Sequence, residues 1–369
     1  MKTITLSDVS VNGRGYYGIG ASAVPFSDDL YTYLRITDIN DDGTLNMADL
    51  KSVDDEKACE YLLQPNDIVF ARTGASTGRN YFYDGSDGKF VYAGFLIKFS
   101  IDPSKINPKY VKYFCLSQQY KDWIHSFNTG STRGNINAQT LGKMPIPELE
   151  REKQNALVEI LSSIDAKIKQ NNAINENLQQ QAQAIYASLF IDNADPAWIQ
   201  GHLSDLITVK YGKDHKKLGD GSYPVYGSGG IMRYVERPLY DKESVLIPRK
   251  GTLNNVMYVN QPFWSVDTMF YTEMKLPNVA KFVYHFVKAK DLASMNAGSA
   301  VPSMTTDILN AMEVTIPSAS ALEEFESLVA PMYRAMQEND IQSSKLSELR
   351  DALLPKLMSG EIDVANIQL

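Results

Sequence analysis

Nine consecutive residues, Arg72-Thr73-Gly74-Ala75-Ser76-Thr77-Gly78-Arg79-Asn80, bring together two guanidiniums, three hydroxyls, two glycines and an amide. A guanidinium suits phosphate or the edge of guanine, an Asn amide suits adenine, and glycine lets backbone come close. The mixture fits contact with nucleic acid, with Arg72, Thr73, Ser76, Thr77, Arg79 and Asn80 as the contacting side chains. The stretch from Thr129 to Asn137 has the same composition and offers Ser131, Arg133 and Asn135. Later in the chain, Arg249-Lys250-Gly251-Thr252-Leu253-Asn254-Asn255 repeats the theme through Arg249, Lys250, Asn254 and Asn255. Ser299 sits where Ser131 does in the earlier half, and Lys213, Lys216 and Lys217 add positive charge between Lys210 and Lys217. Polar, glycine-rich turns are common, so no single stretch carries much weight; their recurrence at matched places does.

Other chemistries lack their residues. The segment Gly74 to Gly78 has no Lys for a phosphate-binding loop, and Gly18-Ile19-Gly20 does not complete a dinucleotide fingerprint. Four scattered His and two Cys have no zinc-site spacing. The Asn/Asp-Pro-Pro-Tyr/Phe tetrapeptide of amino-methyltransferases does not occur, and Asp54-Asp55-Glu56-Lys57 lacks the paired upstream acid of a nuclease centre. The expectation is a non-catalytic chain with no cofactor and no metal. Cys59 and Cys115, beside apolar or aromatic neighbours, are expected as buried free thiols.

The elements that carry these loops occur twice. From Leu157 a 4-3 seam runs Leu157, Leu161, Ile164, Ile168, Asn171, Asn175, Leu178, Ala182, Ile185, Leu189. Adding 168 to each number gives Phe325, Val329, Met332, Met336, Asn339, Ser343, Leu346, Arg350, Leu353, Leu357, with the polar interruption at the same place. Asn128-Thr129-Gly130-Ser131 matches Asn296-Ala297-Gly298-Ser299 at that offset. Ile68 to Gly74 matches Val245 to Gly251 at 177, and Leu6-Ser7-Asp8 matches Leu203-Ser204-Asp205 at 197. Growing offsets mean that loops have been gained and lost in the globular units while the helices kept their length.

The fold class expected is therefore α+β: two globular domains separated by two long antiparallel helices that form a coiled coil, with an internal pseudo-two-fold repeat. The boundaries are a first domain at 1–146, a first long helix at 147–196, a second domain at 197–317, and a second long helix and tail at 318–369. A strict a/d seam is too narrow to cover a globular core and suits a partner helix. Its core is expected at Leu157, Leu161, Ile164, Ile168, Asn171, Leu178 and Ile185, facing Met332, Met336, Asn339, Leu346 and Leu353. The helical stretches, 149–190 and 318–359, make a spacer on the order of 60 Å at ~1.5 Å per residue. Asn171 and Asn339 should meet near its middle and fix register. Pro331 should kink the second helix or mark a separate short helix at its start, Pro355 followed by Ser359-Gly360 should supply a kink and a stop, and the Gln-rich latter half of the first helix suggests a protein surface packed there. Within the domains, β-like runs fall at Ile68-Val69-Phe70, Lys89 to Tyr92, Phe95 to Phe99, Ser244 to Ile247 and Val256 to Val259. Helices are expected from Pro108 to Ile124 and from Val279 to Ala289.

Charge is distributed in keeping with this division. The net −8 resolves into −1 for residues 1–146, −4 for 147–196, +2 for 197–317 and −5 for 318–369. The acid lies in the helices, which would repel phosphate, while the near-neutral domains can hold local basic faces. No apolar run approaches the ~20 residues of a membrane span and the start lacks a signal-peptide pattern, so a cytoplasmic protein without a membrane partner is expected.

Over essentially its whole length the chain resembles the specificity subunits of type I restriction–modification systems. The resemblance rests on the doubled layout and on Trp198 with Leu203-Ser204-Asp205 opening the second unit. It rests also on Tyr223-Pro224-Val225-Tyr226-Gly227-Ser228-Gly229-Gly230-Ile231 and on Ile316-Pro317 before a helix. Most specific are the helix ends, Leu178 to Tyr186 and Leu349-Arg350-Asp351-Ala352-Leu353-Leu354-Pro355-Lys356-Leu357-Met358-Ser359-Gly360-Glu361-Ile362. The first unit departs by lacking the Trp. The resemblance implies two target-recognition domains that each read half of a bipartite, asymmetric double-stranded DNA site. It implies a coiled coil that docks two methyltransferase (modification) subunits and, where the host has them, restriction (translocase/endonuclease) subunits. Chemistry would belong to those partners: adenine methylation from S-adenosylmethionine and ATP-dependent cleavage. The alternative reading is a coiled-coil scaffold whose end domains bind proteins.

Overall fold

The computed structural model describes residues 2–127, 135–295, 303–359 and 361–362. The chain divides into two compact units, Met1–Lys169 with Gln342–Leu369, and Gln170–Ile341. Each contains part of both long helices.

In the first unit the central sheet is antiparallel, in the order Tyr16–Tyr17, Leu96–Ser100, Asp67–Ala71, Asn80–Tyr83. The run Asp67–Ala71 is buried along its whole length because both faces of this sheet are covered. Side chains alternate across a strand, so Ile68 and Phe70 join Ile97, Phe99 and the helical residues Tyr110 and Phe114 on one face. Val69 and Ala71 join Leu34, Phe90 and Tyr92 on the other. That second layer is a sheet ordered Ala23–Pro25, Lys51–Val53, Tyr31–Leu34, Phe90–Tyr92, whose last pair is parallel. Thr3–Thr5 pairs with Pro145–Pro147 just ahead of the first long helix.

The second unit repeats the plan. Its central sheet runs Ile207–Tyr211, Met269–Met274, Ser244–Pro248, Met257–Val259. Beside it lies Gly230–Val235, Tyr223–Gly227, Trp264–Ser265, again with a parallel last pair. Ile199–His202 pairs with Glu313–Ile316, as Thr3–Thr5 does with Pro145–Pro147. The first unit's extra strand, Ala23–Pro25, accounts for part of the drift in offset.

The long helices are Arg151–Ala187 and Ala319–Ser359. In each unit their segments run antiparallel. In the first, Leu157 and Leu161 share a core with Leu354, Leu357 and Met358. Asp165 there accepts from Arg350 at 3.2 Å and from Lys112 at 2.9 Å, and these cations hold its carboxyl below the usual range against the opposing effect of burial. In the second, Asn171 donates to the Asn339 carbonyl at 3.4 Å and the Asn339 amide donates to Asn175 at 2.8 Å. Asn175 in turn donates to Asp340 at 2.7 Å.

Burial along the seam is uneven. Leu157, Leu161 and Ile164 are buried, whereas Ile168, Leu178, Ile185, Met332, Met336, Leu346 and Leu353 are half-buried. Near the helix ends the stripe widens beyond the a and d positions: Val158, Tyr186, Leu322, Tyr333 and Leu354 are buried against the globular cores. The helix ends are thus core elements of the units, not only partners for each other. The buried position moves from Ile185 to Tyr186 and on to Phe190, which lies in a π-helical turn at Ser188–Asp192 with its ring centroid 4.8 Å from that of Phe282 and 5.1 Å from that of Phe325.

The second long helix runs unbroken through exposed Pro331 and Pro355, so Pro331 does not mark off a separate short helix, and it ends at Ser359. Two further expectations need correction. The helix expected from Pro108 to Ile124 is two, Pro108–Phe114 and Gln118–His125, because Ser117 starts a new one by accepting from the Tyr120 amide. Cys115 is buried, but Cys59 is exposed.

Part of the Gln-rich face also turns inward. His285 is fully buried, with Nδ1 2.7 Å from Gln183 Oε1 and Nε2 2.9 Å from the Tyr333 hydroxyl. Since an amide oxygen only accepts, Nδ1 carries the proton, Tyr333 donates to Nε2, and the ring is neutral. Burial, with the Lys288 charge adding to it, pushes its pKa down to about 4. The neutral form is favoured by folding, so this stability is present above the ordinary value near 6.5 and lost as pH falls from there towards 4. The loss amounts to about 3 kcal/mol. Urea midpoints of the second unit should fall steeply across that window, and His285→Gln should flatten the slope; an equal slope in both proteins would exclude His285 as the titrating group.

Candidate nucleic-acid interface

Arg72 follows directly on the buried strand Asp67–Ala71 and is fixed by its backbone on both sides. Its N–H donates to the Phe95 carbonyl at 3.0 Å, and its own carbonyl accepts from the Ile136 N–H at 2.9 Å. Thr73 bridges to Asn135, so the loop after the strand and the chain around Asn135 form one surface. The Arg72 guanidinium lies 4.9 Å from the ring centroid of Tyr17, an exposed residue whose hydroxyl accepts from the Ala138 N–H at 3.2 Å. Among the described residues the Arg72 side chain has no ion pair, and its Nε is buried without a hydrogen-bond partner.

The second unit reproduces this frame. Arg249 N–H donates to the Thr268 carbonyl at 2.8 Å, and its carbonyl accepts from the Met304 N–H at 2.9 Å. Lys250 bridges to Ser303 as Thr73 does to Asn135. The Arg249 guanidinium lies 5.4 Å from the ring centroid of exposed Tyr211. Three further segments converge here. Lys213 N–H donates to the Ser265 carbonyl at 2.8 Å, Asn255 donates to the Ser228 carbonyl at 2.8 Å, and Arg249 Nη1 reaches the Asp267 carbonyl at 3.3 Å. A loop rich in Lys, the Gly227–Gly230 turn and the Arg249 loop therefore share one edge.

Several expected contacts are committed to the protein itself. Asn80 is buried and donates to the Cys115 carbonyl at 3.0 Å, which removes it from any base edge. Asn254 spends its amide on Asp291 at 3.0 Å and its oxygen on the Ala293 N–H, and Asn255 is held by Ser228. Arg79 is clamped by Asp41 at 2.6 and 3.2 Å and donates to the Ile39 carbonyl, so it latches two loops together. The Thr77 hydroxyl donates to the Gly74 carbonyl at 2.8 Å, and Ser76, like Thr73, is half-buried in the same turn. Lys213, Lys216, Lys217 and Lys250 are exposed, as is Asn135. Ser131, Arg133 and Ser299 lie outside the described residues.

Tyr17 and Tyr211 were not among the candidates, yet a signal for them existed. Each precedes a glycine, Tyr17-Gly18 and Tyr211-Gly212, and each glycine is obligatory. A Cβ on Gly18 would fall 2.2 Å from the Tyr92 carbonyl oxygen, and one on Gly212 would fall 2.0 Å from that of Val266. The fragment Gly18-Ile19-Gly20, unable to complete a dinucleotide site, marks this close approach. Among the described residues there is no group of three or more His, Cys, Asp or Glu that could hold a metal, and no helix long and apolar enough to cross a membrane.

Two similar units with matched arginine loops define a doubled recognition protein, and comparison with known proteins agrees. The family described as type I restriction modification DNA specificity domain matches residues 28–180 and again 197–325, and the chain belongs to that family. It is 22% identical over 302 residues to the type I restriction enzyme MjaIX specificity subunit of Methanocaldococcus jannaschii, covering 70% of each chain. It is 20% identical to the HindI specificity subunit of Haemophilus influenzae, over 90% of this chain and 96% of that one. In fold it resembles the crystal structure of a type I restriction-modification S subunit from M. genitalium, with a TM-score of 0.57 at 19% identity, covering 96% and 95% of the two chains. Its function is DNA sequence recognition.

Proposed function

We propose that the chain binds a bipartite, asymmetric double-stranded DNA site and brings two methyltransferase subunits, and restriction subunits where the host has them, to it. It is itself non-catalytic, works in the cytoplasm, and contributes recognition to a DNA adenine methyltransferase/endonuclease complex. The target-recognition domains are residues 1–146 and 197–317, with 147–196 and 318–369 as the spacer helices and tail. The observation that carries this reading is the duplicated arginine frame, with cationic loops gathered on near-neutral domains while the acid is kept on the helices.

A gel-shift series tests it, using the full-length chain purified from its host with its bound partners. One duplex sequence should be selected from a random pool, with two constant blocks separated by an unspecified spacer, and affinity should fall steeply as salt rises. Binding without sequence preference, or none, would sink the proposal.

A further inference from the structure

The two arginine frames coincide more closely than the units that hold them. Offsets between the units drift along the chain, from 194 at Tyr17 and Tyr211 to 168 at Ile136 and Met304. Yet in both units the arginine N–H meets a carbonyl of the neighbouring strand connection, its carbonyl takes an N–H from the chain 64 or 55 residues later, and its guanidinium stands by an exposed Tyr. The Tyr is 42% exposed in one unit and 52% in the other, and each precedes a glycine that the close backbone approach demands. Loops elsewhere have changed length and composition; this combination is present twice.

We infer that Tyr17–Arg72 and Tyr211–Arg249 are one phosphate-gripping device built twice, which sets the register of DNA in each half-site without reading its sequence. The inference rests on the proposed function above. Units that read different half-sites must differ in the side chains that read bases. A group shared in closely similar frames is suited to what every half-site offers whatever its bases, which is the sugar-phosphate backbone. The chemistry agrees: a guanidinium beside an exposed aromatic ring, with no carboxylate paired to it among the described residues, keeps N–H donors that phosphate accepts from any sequence. The tyrosine is a positioning residue: it orders the arginine in advance, so that less side-chain freedom is lost on contact. Base reading then falls to what differs between the units, such as Phe95 in the first and Lys213 and Met232 in the second, all exposed.

The test again uses the full-length chain with its bound partners and a duplex pool randomised in the first half-site. Arg72→Ala and Tyr17→Ala should each weaken binding to every duplex about tenfold. Each should lower the slope of log affinity against log salt by about 0.9, the value of one phosphate contact. The bases selected in the first half-site should not change. Arg72→Lys and Tyr17→Phe should restore the slope, which a general loss of packing would not allow. Should Tyr17→Ala fail to fold, Tyr211→Ala carries the same test in the other unit. Relaxed selection at one base position would overturn the inference by making Arg72 a sequence reader, as would unchanged affinity in the alanine variants. If the unsubstituted chain selects no sequence, the DNA-recognition reading fails first and takes this one with it; if it does select and the variants match it, only this inference falls.

Discussion

Replacing Phe325 by Ala is expected to destabilise the second unit by about 3–5 kcal/mol, enough to leave much of it unfolded at physiological temperature. Phe325 is fully buried, on the second long helix, with ring centroids 5.1 Å from Phe190, 6.1 Å from Tyr186 and 5.8 Å from His285. Three elements therefore lean on one side chain: the π-turn that ends the first long helix, the helix Ala280–Lys288, and the second long helix itself. The truncation opens a void among the rings of Phe190, Tyr186 and His285. A cavity among large rings costs much, because each ring loses its contacts on one side and the fixed backbone of three elements limits collapse. Chemical denaturation monitored at Trp198, whose ring lies 5.9 Å from Phe190, reads the change directly. A cost below about 1 kcal/mol would mean that the helix end is not part of the unit's core.

The heptad pattern marks Phe325 as a seam position but not its packing against Phe190, Tyr186 and His285. The seam was legible because a 4-3 spacing repeated at one offset hardly arises by chance, and the paired strands were legible where whole runs are apolar, as at Asp67–Ala71 and Ser244–Pro248. The widening of the stripe at Tyr186 and Phe190 was not, because it is set by the rings these residues pack on, Phe282 and Phe325, which lie far off in sequence. That the helix runs on through Pro331 was hidden for a related reason: proline removes one hydrogen bond, but exposure lets water replace it, and exposure is a tertiary fact. At the site, arginines after buried strands were visible from composition. The fates of Asn80, Asn254 and Asn255 were not, since an amide in a polar loop serves equally well to pin that loop, and the partner that decides lies far off in sequence, such as Cys115 or Asp291. Tyr17 and Tyr211 were hidden because they lie on strands and not in the polar loops, and an exposed tyrosine at a strand end is ordinary until the arginine across the sheet is seen.

Changing Arg72 and Arg249 to Ala together should lower affinity for the intact site by about a hundredfold, the product of two tenfold losses. The two belong to different units and have no partner in common, the condition under which free energies add. The salt slope should drop by about 1.8, twice the single-contact value. The physical content lies in the comparison with either single variant. If each unit grips its own half-site independently, the second substitution costs as much in the presence of the first as in its absence. If instead one unit docks only after the other has bound, the first substitution already forfeits most of the second contact, and the double variant falls well short of a hundredfold. Titrating the four proteins against one duplex at several salt concentrations separates these cases. An additive loss in affinity without the matching change in slope would show that the arginines act through the fold of the loops and not through contact with phosphate.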